Sequence, residues 1–480
     1  FRTESTMLFP TVDFAVFFLA VLGLAWTTHR YLRLHKVLLL VASYFFYGYW
    51  DWRFMPLLAG VSLVSWVTAR GLHPEVPLAV RRVRLGIGVS LCLGVLAFFK
   101  YLGFLASTLA DVFHALGFRF LPQLPEIALP VGISFFVFQG ISLMVDTWRG
   151  TPARAPGLLD SLLFIAFFPQ LVAGPILRAR DFLPQLQEPR DPGDIDVSRG
   201  LWLILLGLGK KVLVANSLGT GIVDRVFETP AGRSGLEVLL GVYGYAAQIY
   251  CDFSGYTDMA IGCALLMGYR FMQNFDSPYV ATSPQDFWRR WHISLSSWLR
   301  DYLYVPLGGN RGGEGRTYRN LVLTMLLGGL WHGAAWTFVA WGALHGLGLV
   351  VHRLWSRWHP PWADRLRGSR AWPLVARVLL FHFVCLGWVF FRAPSFGMAA
   401  SVIRSLANPW TLGPWFSLGL LAALALGIFG QALPPGWSDG LRCRISRMPL
   451  AFQGALAAAA VLVIDALGPS GIAPFIYFQF

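Results

Sequence analysis

Residues 283–304 read S-P-Q-D-F-W-R-R-W-H-I-S-L-S-S-W-L-R-D-Y-L-Y, and residues 320–342 read N-L-V-L-T-M-L-L-G-G-L-W-H-G-A-A-W-T-F-V-A-W-G. The first stretch opens on Ser283, a good N-cap, with Pro284 at the first helical position and Asp286 three residues past the cap. Trp288, Trp291, Leu295, Trp298 and Tyr302 then recur at spacings of three and four. That spacing predicts one continuous amphipathic helix, with Gln285, Arg289, Arg290, Ser297 and Arg300 off the apolar stripe. Such a helix lies at an interface or lines a wet cavity. The second stretch reads as a membrane helix in which only His332 titrates readily. Helical spacing places Gly328, Gly329 and Ala335 one turn from His332, so the imidazole is expected in a notch of small side chains that a thin substrate or another backbone can enter.

Composition sets the frame for both stretches. Of 480 residues, 56% are hydrophobic, 15% aromatic and 13% charged, and mean hydropathy is +0.56. This is an all-α polytopic membrane protein. Apolar runs recur along the chain with no long soluble segment between them, so residues 7–480 read as a single integral-membrane domain. Residues 1–6, ahead of Met7, are set aside as a vector-derived remnant or an upstream extension.

The net charge is +14, and its arginines are spread over several inter-helix loops, which fits membrane topology and not nucleic acid. Arg30, Arg33 and Lys36 follow the first span, and Arg70, Arg81, Arg82 and Arg84 follow the third. The positive-inside rule then puts those loops in the cytoplasm and the N-terminus outside. The five cysteines are scattered without a CxxC pair, so neither a disulfide framework nor a metal site is expected.

Several interruptions carry information. The first spans read as about 8–26, 37–50, 54–69 and 85–105, followed by a proline-broken interfacial or re-entrant segment at 113–130 and a span at 131–148 whose Gln139 and Asp146 face protein. Residues 158–175 end F-F-P-Q-L-V-A-G-P, a broken helix, and 178–199 is expected to be a solvent-facing loop. Lys210 and Lys211 interrupt an apolar run; they either snorkel, the plainer reading, or face a polar cavity. Asp252, Ser254, Tyr256 and Asp258 are too polar for a lipid face and read as a buried structural network, with Ser254-Gly255 inviting a helix break. His382 is read as structural. Pro306–Arg316, rich in glycine and arginine, is a turn by default, with Arg311 contacting donor phosphates as a secondary reading.

An ionisable group inside a membrane is costly and marks a functional site by default, which favours function for His332. For His292 the spacing leaves function and structure equally open. A buried imidazole, disfavoured as imidazolium, can accept a proton and so suits the role of a general base.

Q-N-F-D-S-P-Y at 273–279, F-W-R-R-W-H-I-S-L-S-S-W-L-R-D-Y-L-Y-V-P-L-G-G-N-R at 287–311 and L-W-H-G-A-A-W at 330–336 resemble the membrane-bound O-acyltransferase (MBOAT) superfamily. The match is best to its bacterial branch of alginate-acetylating membrane subunits and their peptidoglycan-acetylating and D-alanyl-transferring relatives. The closing run P-F-I-Y-F-Q-F is also typical of the alginate branch.

The resemblance implies a bundle of about eleven or more spans plus re-entrant helices around a central tunnel. It also implies His332 as catalytic base and His292 as second active-site residue, orienting the acceptor or donating to the oxyanion. Trp331, Trp288, Arg289, Ser296 and Arg311 are candidates for binding substrate or donor. The implied chemistry takes an acetyl group from cytoplasmic acetyl-CoA, or another acyl thioester, to an extracytoplasmic polysaccharide. No bound cofactor is implied. Implied partners are the bacterial inner membrane, an exopolysaccharide acceptor and a periplasmic acetyltransferase. Two alternatives remain: D-alanyl transfer from a carrier-protein thioester, and a transporter or flippase whose broken helices line a substrate path.

Overall fold

The computed structural model describes residues 7–118, 127–151, 155–172, 174–358, 360–434, 436–469 and 473–478. Among these residues the chain is helical, with no strand. It divides into two compact units, one of residues up to Gly200 plus Cys263–Met272, the other of Leu201–Gly262 plus Gln273 onward.

In the first unit, α1 (Val12–Thr28), α2 (Leu32–Asp51) and α3 (Met55–Arg70) are followed by α4 (Leu78–Leu96) and α5 (Leu102–Ala115). A π turn joins α4 to α5, so the fourth span runs 38 residues, well beyond its expected 85–105. The expected interfacial segment at 113–130 lies partly outside the described residues. α6 (Ile133–Trp148) is buried nearly throughout, including Gln139 and Asp146. It lies close to α3 because Gly140 leaves room for the Ser65 hydroxyl. The chain breaks at Phe167 between α7 (Leu158–Ala166) and α8 (Phe168–Leu171). The freed backbone there is satisfied internally: Phe168 N–H donates to Ser43 Oγ at 3.1 Å, and Gln170 Nε2 donates to the Phe164 carbonyl at 2.6 Å.

Lys36, counted as loop charge from the sequence, lies inside α2 and pairs with Asp160 at 2.6 Å. The loop expected to face solvent does so over 187–199, which is mostly exposed, but its first part folds back. α9 (Ala179–Phe182) and the turn after it bury Arg178, Phe182, Leu183 and Leu186, because the apolar side chains between its prolines are numerous enough to pack.

The second unit contains α10 (Val197–Gly209) from Leu201 onward, α11 (Asp224–Glu228), and α12 (Gly235–Leu266) as far as Gly262. Contrary to the expected break at Ser254-Gly255, α12 is unbroken. Gly255 instead permits close approach: a Cβ there would stand 2.7 Å from the Gly207 carbonyl oxygen. The snorkelling reading of the lysines is also overturned. A π segment at Lys210–Asn216 turns both toward α12, where Lys210 meets Asp258 at 2.7 Å and Lys211 meets Asp252 at 2.6 Å. Burying each ammonium against a carboxylate satisfies both charges, which snorkelling would leave to solvent.

α13 (Pro284–Arg290), α14 (Ile293–Leu299), α15 (Glu314–His332) and α16 (Trp336–Arg357) follow. The unit continues with α17 (Pro361–Gly368), α18 (Trp372–Arg392), α19 (Phe396–Ser405), α20 (Leu418–Phe429), α21 (Trp437–Ser446) and α22 (Leu450–Leu467).

Among the described residues, five helices are long and apolar enough to cross a membrane, or six if the bent pair α20–α21 is one span. The chain is a multi-pass membrane protein.

The Lys211–Asp252 pair gives a test. Lys211→Met leaves a buried carboxylate unpaired and is expected to cost about 3–5 kcal/mol, while Lys211→Met with Asp252→Asn recovers part of the loss. Unfolding midpoints in detergent measure both; an unchanged midpoint in the single variant would show that the pair is solvated.

Candidate active site

Ser283 caps α13 as its sequence suggests, its Oγ accepting from Asp286 N–H at 3.1 Å. The helix does not continue to Tyr304. It stops at Arg290, Trp291 is extended, and His292 adopts left-handed backbone (φ 43°, ψ 56°) before α14 begins. The expected single helix is therefore broken at the histidine itself.

The cause lies 18 residues upstream. Asn274 Oδ1 accepts from the Ser294 N–H at 3.0 Å, the Ser294 hydroxyl at 2.9 Å and the His292 ring at Nδ1, 3.1 Å away, while Ile293 N–H donates to the Asn274 carbonyl at 2.9 Å. Donors that a continuous helix would satisfy internally are taken by Asn274. A non-glycine residue in this conformation costs on the order of 1–3 kcal/mol and persists only where its surroundings fix it.

α15 likewise ends at His332, with Gly333 and Ala335 extended ahead of α16. The small-residue notch expected around His332 is thereby corrected. Ala335 is not on the same helix, and Gly329 packs against the α16 backbone, where a Cβ would meet the Phe338 carbonyl and stand 3.2 Å from Gly342. A Cβ on Gly328 would stand 3.1 Å from a Leu299 methyl. The small residues admit neighbouring protein.

The two histidines share one aromatic cluster. The buried His332 ring lies 4.9 Å from Trp341, 5.0 Å from Trp331 and 5.2 Å from Phe391 by ring centroids. The His292 ring lies 4.6 Å from Phe253 and 5.9 Å from Trp331. Trp331 thus touches both. Tyr477, missed as a site residue in the sequence, lies 5.5 Å from His332 and 4.8 Å from Phe253. Asp252 Oδ2 accepts from Ile476 N–H at 2.7 Å, and Lys211 Nζ donates to the Pro474 carbonyl at 3.3 Å. The aromatic closing run was a visible signal; its tether to residues more than 200 positions earlier was not.

The other candidates are distributed unevenly. Trp288 packs against Trp341 and His345, at 5.7 and 5.2 Å. Ser296 Oγ donates to the Trp291 carbonyl at 2.9 Å and so serves the helix break. Arg289 and Arg311 are exposed. The turn holding Arg311 is pinned by Asn320 Nδ2, which donates to the Leu307 and Gly309 carbonyls, both at 3.1 Å. Ser254 is buried, and Tyr256 lies beneath Lys211, 5.5 Å from ring centre to Nζ. His382 has both ring nitrogens engaged, with Tyr243 at 2.6 Å and the Val378 carbonyl at 2.7 Å. Among the described residues no cluster of three or more histidines, cysteines or acids could hold a metal ion.

Residues 122–392, which contain both histidine breaks, match the family model described as MBOAT, membrane-bound O-acyltransferase family. The chain belongs to the MBOAT family. It is 39% identical, over 98% of its length and 88% of the relative's, to the probable alginate O-acetylase AlgI of Pseudomonas aeruginosa. It is 36% identical to the peptidoglycan O-acetyltransferase of Helicobacter pylori, over 78% of this chain and 74% of that one. At greater distance it is 29% identical to the teichoic acid D-alanyltransferase of Bacillus subtilis, over 55% of this chain and 69% of that one. This MBOAT chain therefore carries its two histidine breaks inside the matched region.

The close seam between α15 and α16 is testable. Gly329→Val drives a side chain into the Phe338 carbonyl and should lower stability by about 1–3 kcal/mol, with acyl transfer falling alongside. Gly328→Ala, which meets only a leucine methyl, should be milder; equal unfolding midpoints for Gly329→Val and the parent protein would contradict the packing.

Proposed function

We propose that this O-acyltransferase moves an acetyl group from a cytoplasmic thioester, acetyl-CoA, to hydroxyls of an extracytoplasmic polysaccharide of the alginate type. The observation that carries the reading is the convergence of two buried histidines on Trp331 within the family-matched region. The identity to alginate and peptidoglycan O-acetylating relatives supports acetyl as the group and a polysaccharide as its destination. The D-alanyl reading has only the distant relative behind it, and family membership sets the transporter reading aside.

In this reading His332 takes the proton of the attacking hydroxyl while the hydroxyl oxygen adds to the thioester carbonyl carbon. Collapse of the tetrahedral intermediate breaks the carbon–sulfur bond, and the imidazolium returns the proton to the leaving thiolate. An ester and a free thiol result. His292 assists from the facing break, and the aromatic walls keep water from the acyl group. Trp331 and Trp288 contact the donor or substrate within the aromatic cluster, with Arg289, Ser296 and Arg311 as further binding groups.

Residues 7–480 act as one acyltransferase domain in the bacterial inner membrane, with the N-terminus outside and the shorter helices completing a bundle of about eleven or more spans around a tunnel that joins the two faces. A periplasmic acetyltransferase completes delivery to the polysaccharide.

Purified protein in nanodiscs should consume labelled acetyl-CoA, with transfer to a polysaccharide or release of acetate. His332→Ala, folded as judged by its unfolding midpoint, should lose at least about 100-fold of this activity, and His292→Ala should lose less. Turnover only with an aminoacyl carrier protein would favour the D-alanyl reading, and full activity in His332→Ala would move the chemistry elsewhere.

A further inference from the structure

We infer that Asn274 is a positioning residue for acyl transfer: its side-chain carbonyl holds His292 in the Nδ1–H tautomer, so Nε2 meets the substrate as a lone pair. This rests on the reading that His292 belongs to the site.

The hydrogen bonds determine which atom is which. Asn274 Oδ1 accepts from the backbone N–H of Ser294, a group that can only donate, so the contacting atom is the oxygen and not the amide nitrogen. Asn274 Nδ2 is buried without a hydrogen-bond partner among the described residues, where only the carbonyl half of this amide is in use. Nδ1 of His292 lies 3.1 Å from the same oxygen, which can only accept, and the Ser294 hydroxyl, 3.4 Å from Nδ1, gives its proton to Asn274 at the shorter 2.9 Å, so Nδ1 donates. A neutral imidazole carries one ring proton, and with that proton on Nδ1 the Nε2 atom is bare.

Nε2 is buried and has no hydrogen-bond partner among the described residues, although His292 is fully buried. An unpaired acceptor in such a place is costly unless a substrate group completes it. His292 lies in the break between two seven-residue helices, fully buried against the rings of Phe253 and Phe275. Burial among apolar rings disfavours the charged imidazole. The ring thus stays neutral, and the second proton that would make Nε2 a donor is disfavoured.

The backbone reinforces the arrangement. Ile293 N–H is held by the Asn274 carbonyl at 2.9 Å, and the left-handed conformation at His292 fixes the direction of its side chain. Asn274 therefore sets both the pose and the proton position of this ring, the role of the third group in a nucleophile–base–orienter arrangement. The consequence for mechanism is specific. His292 accepts a hydrogen bond from a hydroxyl of the acceptor and orients it; it does not donate to the oxyanion, which must be stabilised by other groups.

Nitrogen-15 NMR of histidine-labelled protein in nanodiscs, with the His292 signals assigned by their loss in His292→Gln, reads the tautomer directly. The expected result is a protonated Nδ1 and an unprotonated Nε2. Asn274→Leu should move the population toward Nε2–H and lower kcat on the order of 100-fold, with KM for acetyl-CoA unchanged. Asn274→Asp keeps the acceptor oxygen, so Nδ1 stays protonated, but it adds an acidic neighbour that favours a second proton on Nε2; its kcat should fall at low pH and return toward the parent value at high pH.

An Nε2–H tautomer in the active parent protein would overturn the inference, and that measurement stands even if Asn274→Leu fails to fold. A folded Asn274→Leu with full kcat would overturn it as well. Full transfer by His292→Gln would instead overturn the placing of His292 in the site, with its tautomer left standing.

Discussion

The buried ion pair between Lys211 and Asp252 couples three parts of the chain that are far apart in sequence. Both side chains are almost wholly removed from solvent, at 2% and 4% exposure, so neither charge is tolerable without the other. The π segment at Lys210–Asn216 turns the lysine inward, and α12 supplies the carboxylate. The second carboxylate oxygen receives the Ile476 N–H, and the ammonium also reaches the Pro474 carbonyl. Through that one pair the 474–477 segment is tied to the helices behind it, and Tyr477 is laid against His332. A network that looks merely structural along α12 thus shapes the wall of the candidate site.

The second organising feature is that both histidines stand at helix breaks. Breaking a helix in a membrane protein exposes backbone groups that lipid cannot satisfy, so each break must be closed by protein. At His292 the closure comes from Asn274 and Ser296; at His332 the Gly333 N–H returns to the Gly329 carbonyl. Each closure fixes a ring at the end of a rigid helix, and the rings meet at Trp331. On the His292 side the two helices, α13 and α14, have only seven residues each, which suits a place where irregular backbone lines a site and does not face lipid.

Much of this was legible in the sequence. Composition gave the class, and most helix positions followed from apolar runs; the Ser283 cap and the break after Ala166 were marked by local residues. The break at His292 was not legible, because the stripe Trp291, Leu295 and Trp298 stays apolar and buried across it. Its cause is an asparagine outside the helix. The lysine partners were hidden for a similar reason: Asp252 and Asp258 lie on another helix more than 40 residues further along, 48 for the Lys210–Asp258 pair, so snorkelling was the simpler local solution. Gly255 looked like a breaker and proved to be a contact point, since glycine signals close approach as readily as it signals a turn. Tyr477 escaped notice because only a long-range tether places it.

The central claim, that the aromatic cluster joining His332 and His292 is where the acyl group reacts, is tested most directly by a structure bound to an acetyl-CoA analogue whose thioester sulfur is replaced by methylene. The account predicts the acetyl carbonyl beside the His332 ring, next to Trp331, within reach of a hydroxyl positioned by that imidazole. An acetyl group held elsewhere, with His332 still enclosed by Trp341 and Phe391, would contradict it.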